Sequence, residues 1–356
     1  MMDSVALRRK SASTATLQVP GPRPPAVVAA NGGVLPLAHL LTPPVYWVLA
    51  GGGSHGAVQL GTLQAVAETD WVPDRLLGSS AGALTGAVIA EDPVSAVNRL
   101  AYLWSDIDLT DVVAGGWTSM LTPTTLTKPS LADNAGEVAS LEEVFDARDF
   151  ADLHLPFGAV ATDMISGQPA VLETGDLIAA LLASSAIPGA LPPVEINGRW
   201  YFDALASANL PASVAMRRGA GSIVVFDTGT SSQKPAGTGL TQLVPAINSM
   251  LASTQRLSSL TQAAAALPVI YLPTPTGLAG TLSFKDSLGT ARQAYLLARD
   301  FVIDLAEQFP THEPLPPGLY ARPNALDPGV PSVQRVLRPV SPTGSAPADP
   351  REGESR

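Results

Sequence analysis

Gly78-Ser79-Ser80-Ala81-Gly82 spells G-x-S-x-G, directly after a short apolar run and directly before a stretch of small residues. That pattern suits a sharp strand-to-helix turn that presents one serine hydroxyl, here Ser80, as a nucleophile. Gly78 and Gly82 permit the close packing of such an elbow. A helix starting at Ala81 would turn its positive end toward the spot where negative charge develops in acyl transfer. Upstream lies Gly51-Gly52-Gly53-Ser54-His55-Gly56. Its glycines leave backbone N–H groups unobstructed, so Gly51, Gly52 and Gly53, with the amide of Ala81, form a candidate oxyanion hole. His55 is a supporting polar side chain of the same loop. Downstream, Asp203 closes the aromatic run Trp200-Tyr201-Phe202. A carboxylate there is partly desolvated and can hold a serine proton. Asn209, ahead of Leu210-Pro211, is a candidate support for the loop bearing Asp203.

Positioning these groups requires alternating strands and helices. Val45–Leu49 reads as a buried strand entering the glycine loop, and Ala57 to Glu68 as a helix with Val58, Leu63 and Val66 on one face. Arg75–Leu77 reads as a second strand, with helices over Ala81 to Ala90 and Val94 to Trp104. Residues 106–140 are mixed and suit a lid or cap over an acyl-binding groove. Strand signals return at Phe157–Ala161 and Ala170–Leu172, with Ser166-Gly167 as the turn between them. They recur at Ile223–Phe226 and Val269–Leu272. Leu177 to Ala186, Leu240 to Ala265 and Leu288 to Gln308 read as helices. The apolar stretch 177–194 is broken by prolines and reads as core. The alternation predicts an α/β fold with a mostly parallel sheet and helices on both faces. In such sheets ligands bind at strand carboxyl ends, where both glycine motifs fall.

The chain has 356 residues, 46% of them hydrophobic and only 5% aromatic, and this composition indicates a globular protein with an Ala/Leu/Val core. A net charge of −10 argues against a nucleic-acid partner and does not favour electrostatic docking on anionic lipid. With no cysteine, disulfides, thiolate metal sites and cysteine nucleophiles are excluded. Arg8, Arg9 and Lys10 precede polar residues, so no secretory leader is expected. No apolar run approaches the roughly 18 residues a membrane span needs. The expectation is a soluble cytoplasmic protein. Residues 1–43 and 311–356 are proline-rich and read as a disordered N-terminal extension and an irregular C-terminal tail, leaving 44–310 as the folded domain.

The order and spacing of these motifs from about Val45 to Asp227 resemble the patatin-like phospholipases. That family combines a glycine-rich oxyanion loop after its first strand, a G-x-S-x-G elbow and a distal Asp motif. Ala161-Thr162-Asp163 and Ala183-Ser184-Ser185-Ala186-Ile187-Pro188-Gly189 match further parts of its pattern. The resemblance implies a three-layer patatin-like architecture and a Ser80–Asp203 dyad that works without histidine. It further implies hydrolysis of lipid carboxylic esters through an acyl-enzyme, of phospholipase A or lysophospholipase type, with neither metal nor organic cofactor. A lipid ester is the implied partner and transient contact with a membrane surface is allowed. Oligomeric state and lipid class stay open.

Two positions depart from the family pattern. Ala204 follows the dyad aspartate where glycine is usual, which would strain a positive-φ loop by about 1 kcal/mol or more. His55 stands in a loop where the family often has Arg or Lys. These departures keep open a second reading, a catalytically weak lipid-binding or interaction module. Two other readings compete for the same residues. Gly51, Gly53 and Gly56 satisfy G-x-G-x-x-G, but a dinucleotide site needs an acidic residue at the end of the second strand, and Asp70 and Asp74 precede that strand. A Ser-His-Asp triad needs a histidine after the acid. Of His39, His55, His154 and His312 only His312 fits that order. His154 reads as structural, and Asp163 as the organiser of its hairpin.

Overall fold

The computed structural model describes residues 35–106, 135–188, 191–229, 240–278, 286–310, 313–322 and 334–336. The described strands are β1 (Val45–Leu49), β2 (Arg75–Ser79), β3 (Phe157–Asp163), β4 (Pro169–Leu172), β5 (Val194–Ile196), β6 (Arg199–Asp203), β7 (Ser222–Phe226), β8 (Pro268–Tyr271), β9 (Gly318–Ala321) and β10 (Gln334–Val336). The described α-helices are α1 (Gly56–Val66), α2 (Ala81–Glu91), α3 (Ala96–Asp106), α4 (Ala135–Val144), α5 (Leu177–Ser185), α6 (Ala212–Arg217), α7 (Leu240–Ala266) and α8 (Ser287–Gln308).

The strands form one sheet in the order β10-β9-β8-β7-β1-β2-β3-β6-β5, with β4 also paired to β3. Pairing is parallel from β10 through β3, while β4, β5 and β6 join antiparallel. The mostly parallel α/β sheet is therefore as the sequence predicts. Successive strand residues point to opposite faces, so a strand buried on both sides is apolar throughout. β1 illustrates this. Trp47 and Leu49 enter a core with α1, α2, α3, α5 and α8, and Tyr46 and Val48 enter a second core with α6 and α7. Helices thus cover both faces, and the 177–185 segment is core.

From β1 the chain moves outward through β2 and β3, then returns to place β7 on the other side of β1. The loops after β1 and β7 therefore part at this reversal, the position where open α/β sheets hold their ligands.

Three sequence expectations differ from the structure. Residues 35–43, assigned by composition to the extension, contribute buried Leu37 and Leu40 to the core. Asp70 holds this segment, accepting the N–H groups of Leu37 and Ala38 at 2.6 Å each. Within the Pro-rich tail, β9 and β10 add to the parallel sheet, because pairing with β8 outweighs the weak local signal. β2 runs two residues beyond Leu77, since both neighbours pair with Gly78. The expected lid falls largely outside the described residues, apart from α4. No described helix is long and apolar enough to cross a membrane.

Candidate active site

Ser80 sits between the end of β2 and the start of α2, with φ 52° and ψ −126°. A non-glycine residue in that region is strained, by about 1–3 kcal/mol, and persists only where its surroundings enforce it. Here they do. A Cβ on Gly78 would lie 2.2 Å from the Gly82 carbonyl oxygen, and one on Gly82 would lie 2.4 Å from that of Leu49. Strand and helix therefore meet backbone to backbone, and the chain turns sharply through Ser80. The Ser80 N–H donates to the Ser184 hydroxyl at 2.9 Å, which itself donates to the Val160 carbonyl at 2.6 Å.

Asp203 ends β6, and the Ser80 side chain lies near enough to favour its charged carboxylate. Among the described residues no hydrogen bond joins an imidazole to either side chain. The backbone of Asp203 is pinned at both ends, its N–H to the Ala186 carbonyl at 3.0 Å and its C=O by the Thr162 hydroxyl at 2.9 Å. The Leu205 N–H donates to the carboxylate at 2.7 Å. Asp203 is 1% exposed. Burial disfavours the charged form and pushes its carboxyl up to about 6 from the ordinary 3.8, with the Leu205 N–H and the Ser80 hydroxyl opposing the rise. Ser80 is 8% exposed.

The strain expected at Ala204 is not found. Ala204 begins the 3-10 turn Ala204–Ala206 and is not among the described residues with positive φ. A tight right-handed turn is open to any L-residue, so glycine is not required there.

The glycine loop lies against this pair. A Cβ on Gly51 would stand 3.0 Å from that of Ser80. One candidate role needs correction. The Gly51 N–H donates to the Asn209 carbonyl at 2.9 Å and is engaged within the protein, so it is not available to an oxyanion. The amides of Gly52, Gly53 and Ala81 donate to no protein acceptor among the bonds of the described residues. Ala81 opens α2, where a helix leaves its N–H groups without intrahelical partners. Gly53 has φ 56°, a conformation that glycine adopts freely. Asn209 does more than support the Asp203 loop, because its side-chain N–H donates to the Gly51 carbonyl at 3.2 Å.

His55 is buried in the turn Gly53–His55 and its N–H donates to the Gly52 carbonyl at 3.2 Å. His154 contacts the Glu91 carbonyl through Nδ1 and donates its N–H to the Ala90 carbonyl at 2.8 Å, a structural use. His312 lies outside the described residues. Asp163 accepts the N–H groups of Ile165 and Ser166 at 3.0 and 2.9 Å, closing its hairpin. Asp74 accepts the Val45 N–H at 2.6 Å, at the amino end of β1, and Asp70 caps the preceding segment. Neither carboxylate reaches the carboxyl end of β2, which removes the basis for a dinucleotide site.

Sequence reading missed Ser184, Thr228 and Asp227. Ser184 lies in a quoted motif but had no role. Thr228, directly after β7, donates its hydroxyl to the Gly51 carbonyl at 2.9 Å. An Asp-Thr pair at the carboxyl end of a buried strand was the signal that could have found them.

Residues 47–216 match the sequence model described as patatin-like phospholipase. Patatin-like phospholipase domain-containing protein 7 of Mus musculus is 33% identical over 204 residues, covering 55% of this chain and 14% of that protein. Patatin-like phospholipase domain-containing protein 6 of Homo sapiens is 31% identical over 209 residues, covering 57% of this chain and 14% of that protein. The chain thus spans about a seventh of the length of these relatives. Among solved structures, VipD from Legionella pneumophila superimposes with a TM-score of 0.40 at 13% identity, over 72% of this chain and 66% of that one. Through residues 47–216, with their elbow serine and glycine loop, the chain is similar to the patatin-like phospholipases.

Proposed function

We propose that the protein hydrolyses carboxylic esters of lipids through an acyl-enzyme on Ser80, with Asp203 as the base. The Ser80 oxygen attacks the ester carbonyl carbon while its proton passes to Asp203. The N–H groups of Gly52, Gly53 and Ala81 hold the resulting oxyanion. When the intermediate collapses, the carbon–oxygen bond to the alcohol breaks and Asp203 returns the proton to that leaving oxygen. Water then attacks the acyl-enzyme, giving its proton to Asp203, and Ser80 recovers a proton as the fatty acid departs. Each of the two stages needs one proton acceptor and one oxyanion site, and the dyad with its loop supplies both.

The observation that carries this reading is a buried carboxylate, Asp203, brought by strand register to the strained Ser80 elbow. A carboxyl near 6 is close to the pKa that general-base catalysis favours at neutral pH. The rival reading, a weak lipid-binding module, draws on Ala204 and His55. Ala204 imposes no left-handed strain, so that motive weakens. Phospholipid, lysophospholipid, neutral lipid and short ester all fit the chemistry, and a peripheral location at membranes would suit any of the lipid substrates.

The test is fatty-acid release from phosphatidylcholine, lysophosphatidylcholine, triacylglycerol and a soluble p-nitrophenyl ester. Ser80→Ala and Asp203→Ala should each abolish release from every substrate the unaltered protein cleaves. Undiminished release by Ser80→Ala would refute the assignment.

A further inference from the structure

One peptide in the glycine loop is held by more partners than loop stability alone would need. The Gly51 carbonyl accepts the Thr228 hydroxyl at 2.9 Å and the Asn209 side-chain N–H at 3.2 Å. A trans peptide is planar, and its N–H points opposite to its C=O. Fixing the Gly51 carbonyl therefore fixes the direction of the Gly52 N–H, which belongs to the same peptide. Gly52 also rests directly on Thr228. A Cβ there would come within 2.2 Å of the threonine hydroxyl oxygen. Gly51 in turn touches Ser80, so the aimed amide belongs to the residue next to the nucleophile's neighbour.

Thr228 is itself braced. It is 1% exposed, and its N–H donates to the Asp227 carboxylate at 2.7 Å. Asp227 is 0% exposed and also accepts the Tyr271 hydroxyl. Arg256 pairs with Asp227 through Nε at 2.9 Å and reaches the Gly229 carbonyl at 3.4 Å. One guanidinium on α7 thus holds the residues on both sides of Thr228. Burial and the adjacent Asp227 raise the Tyr271 phenol well above its ordinary range, so it remains a donor. A buried, multiply hydrogen-bonded charge of this kind confers rigidity, because any displacement leaves a charge unpaired.

We infer that Thr228 is a positioning residue: braced by the buried Asp227–Arg256–Tyr271 cluster, its hydroxyl clamps the Gly51 carbonyl and so aims the Gly52 amide at the oxyanion. The inference rests on the Ser80–Asp203 reading and assigns a rate contribution to a group that never touches substrate. Donors contribute to catalysis only when aimed at the position the oxyanion will occupy, and losing one costs on the order of 10²–10³ in rate. A misaimed donor should cost less, on the order of 10–10².

The test is hydrolysis of a soluble p-nitrophenyl ester by Thr228→Val, which keeps the shape and removes the hydroxyl, and by Thr228→Ser, which restores it. Thr228→Val should lower kcat by about 10–10²-fold with KM within about twofold. Thr228→Ser should return kcat to within a few-fold of the unaltered protein. Wild-type kcat in Thr228→Val would overturn the inference, as would equal losses in both variants or a loss confined to KM. If Thr228→Val does not fold, Tyr271→Phe, which removes the hydroxyl bonded to Asp227, should still lower kcat several-fold at constant KM, and an unchanged kcat would overturn the inference. Activity lost in Ser80→Ala but intact in Thr228→Val removes only this inference. No turnover of any ester by the unaltered protein removes the underlying reading and this inference with it.

Discussion

Asp203 takes up the edge of β3 at the point where Ser79 leaves it. Val160 pairs with Ser79 in the parallel ladder, and the next residue, Ala161, pairs with Asp203 in the antiparallel one. β4 occupies the opposite edge of β3. β6 therefore lies where β2 would continue if it did not turn at Ser80. The approach of a distant carboxylate to the hydroxyl follows from strand register, which is stiff, and needs no long loop to fold back.

The first expectation is a pH profile. Asp203 must be ionised to accept a proton, and its carboxyl titrates near 6. kcat/KM for a soluble ester should rise about tenfold per pH unit below that value and level off above it. A profile that stays flat from about pH 4.5 to 8 would contradict the assignment of Asp203 as base.

Stability should run the other way. The folded state holds the Asp203 proton up to about 6, whereas the free side chain releases it at 3.8. The native state is thus the tighter proton binder. Its stabilisation is fully present below 3.8 and is lost as pH rises through about 6. The shift corresponds to about 3 kcal/mol at most. Asp203→Asn removes this titration. In denaturant unfolding it should exceed the unaltered protein in stability at pH 8 and match it near pH 4. A stability gap independent of pH would count against this account.

Backbone strain at Ser80 makes a further test. Glycine in place of alanine ordinarily costs about 0.5–1 kcal/mol. At φ 52° the order should reverse, because only glycine adopts that conformation without penalty. Ser80→Gly is therefore expected to melt at least as high as Ser80→Ala, with both inactive. A clearly lower Tm for Ser80→Gly would show that the elbow is unstrained.

Ser184 should matter to both stability and rate. Its hydroxyl takes the N–H of Ser80, and Ala186, two residues on, takes that of Asp203. The end of α5 thus braces both members of the dyad. Ser184→Ala leaves a buried donor unpaired, at a cost of about 1–3 kcal/mol, and loosens the elbow. Lower Tm together with lower kcat is the expected result. Wild-type values for both would remove Ser184 from the account.

Much of this was legible in the sequence where local chemistry and tertiary demand agree. The run Val45–Leu49 is apolar because it is buried on both faces, and Gly78 and Gly82 are glycine because backbones touch there. Legibility ended where distant contacts decide. Gly78 and Ser79 are poor strand formers, yet two neighbouring strands recruit them. Gly318–Ala321 follows prolines and becomes a strand only against β8. Leu37 and Leu40 show no period, since Asp70 and the core fix them individually. Gly51 looked like a free donor because nothing local reveals that the Asn209 carbonyl takes its N–H. Ala204 looked strained only on the assumption of a positive-φ loop, which this chain replaces with a 3-10 turn.

The central claim is that a buried carboxylate, with no imidazole between, activates the Ser80 hydroxyl. Its most direct measurement is covalent labelling by a fluorophosphonate, followed by mass mapping of the modified peptide. The unaltered protein and His312→Ala should carry the label on Ser80, and Asp203→Ala should label at a small fraction of that rate. Label on another residue, or labelling lost with His312 and retained without Asp203, would contradict it.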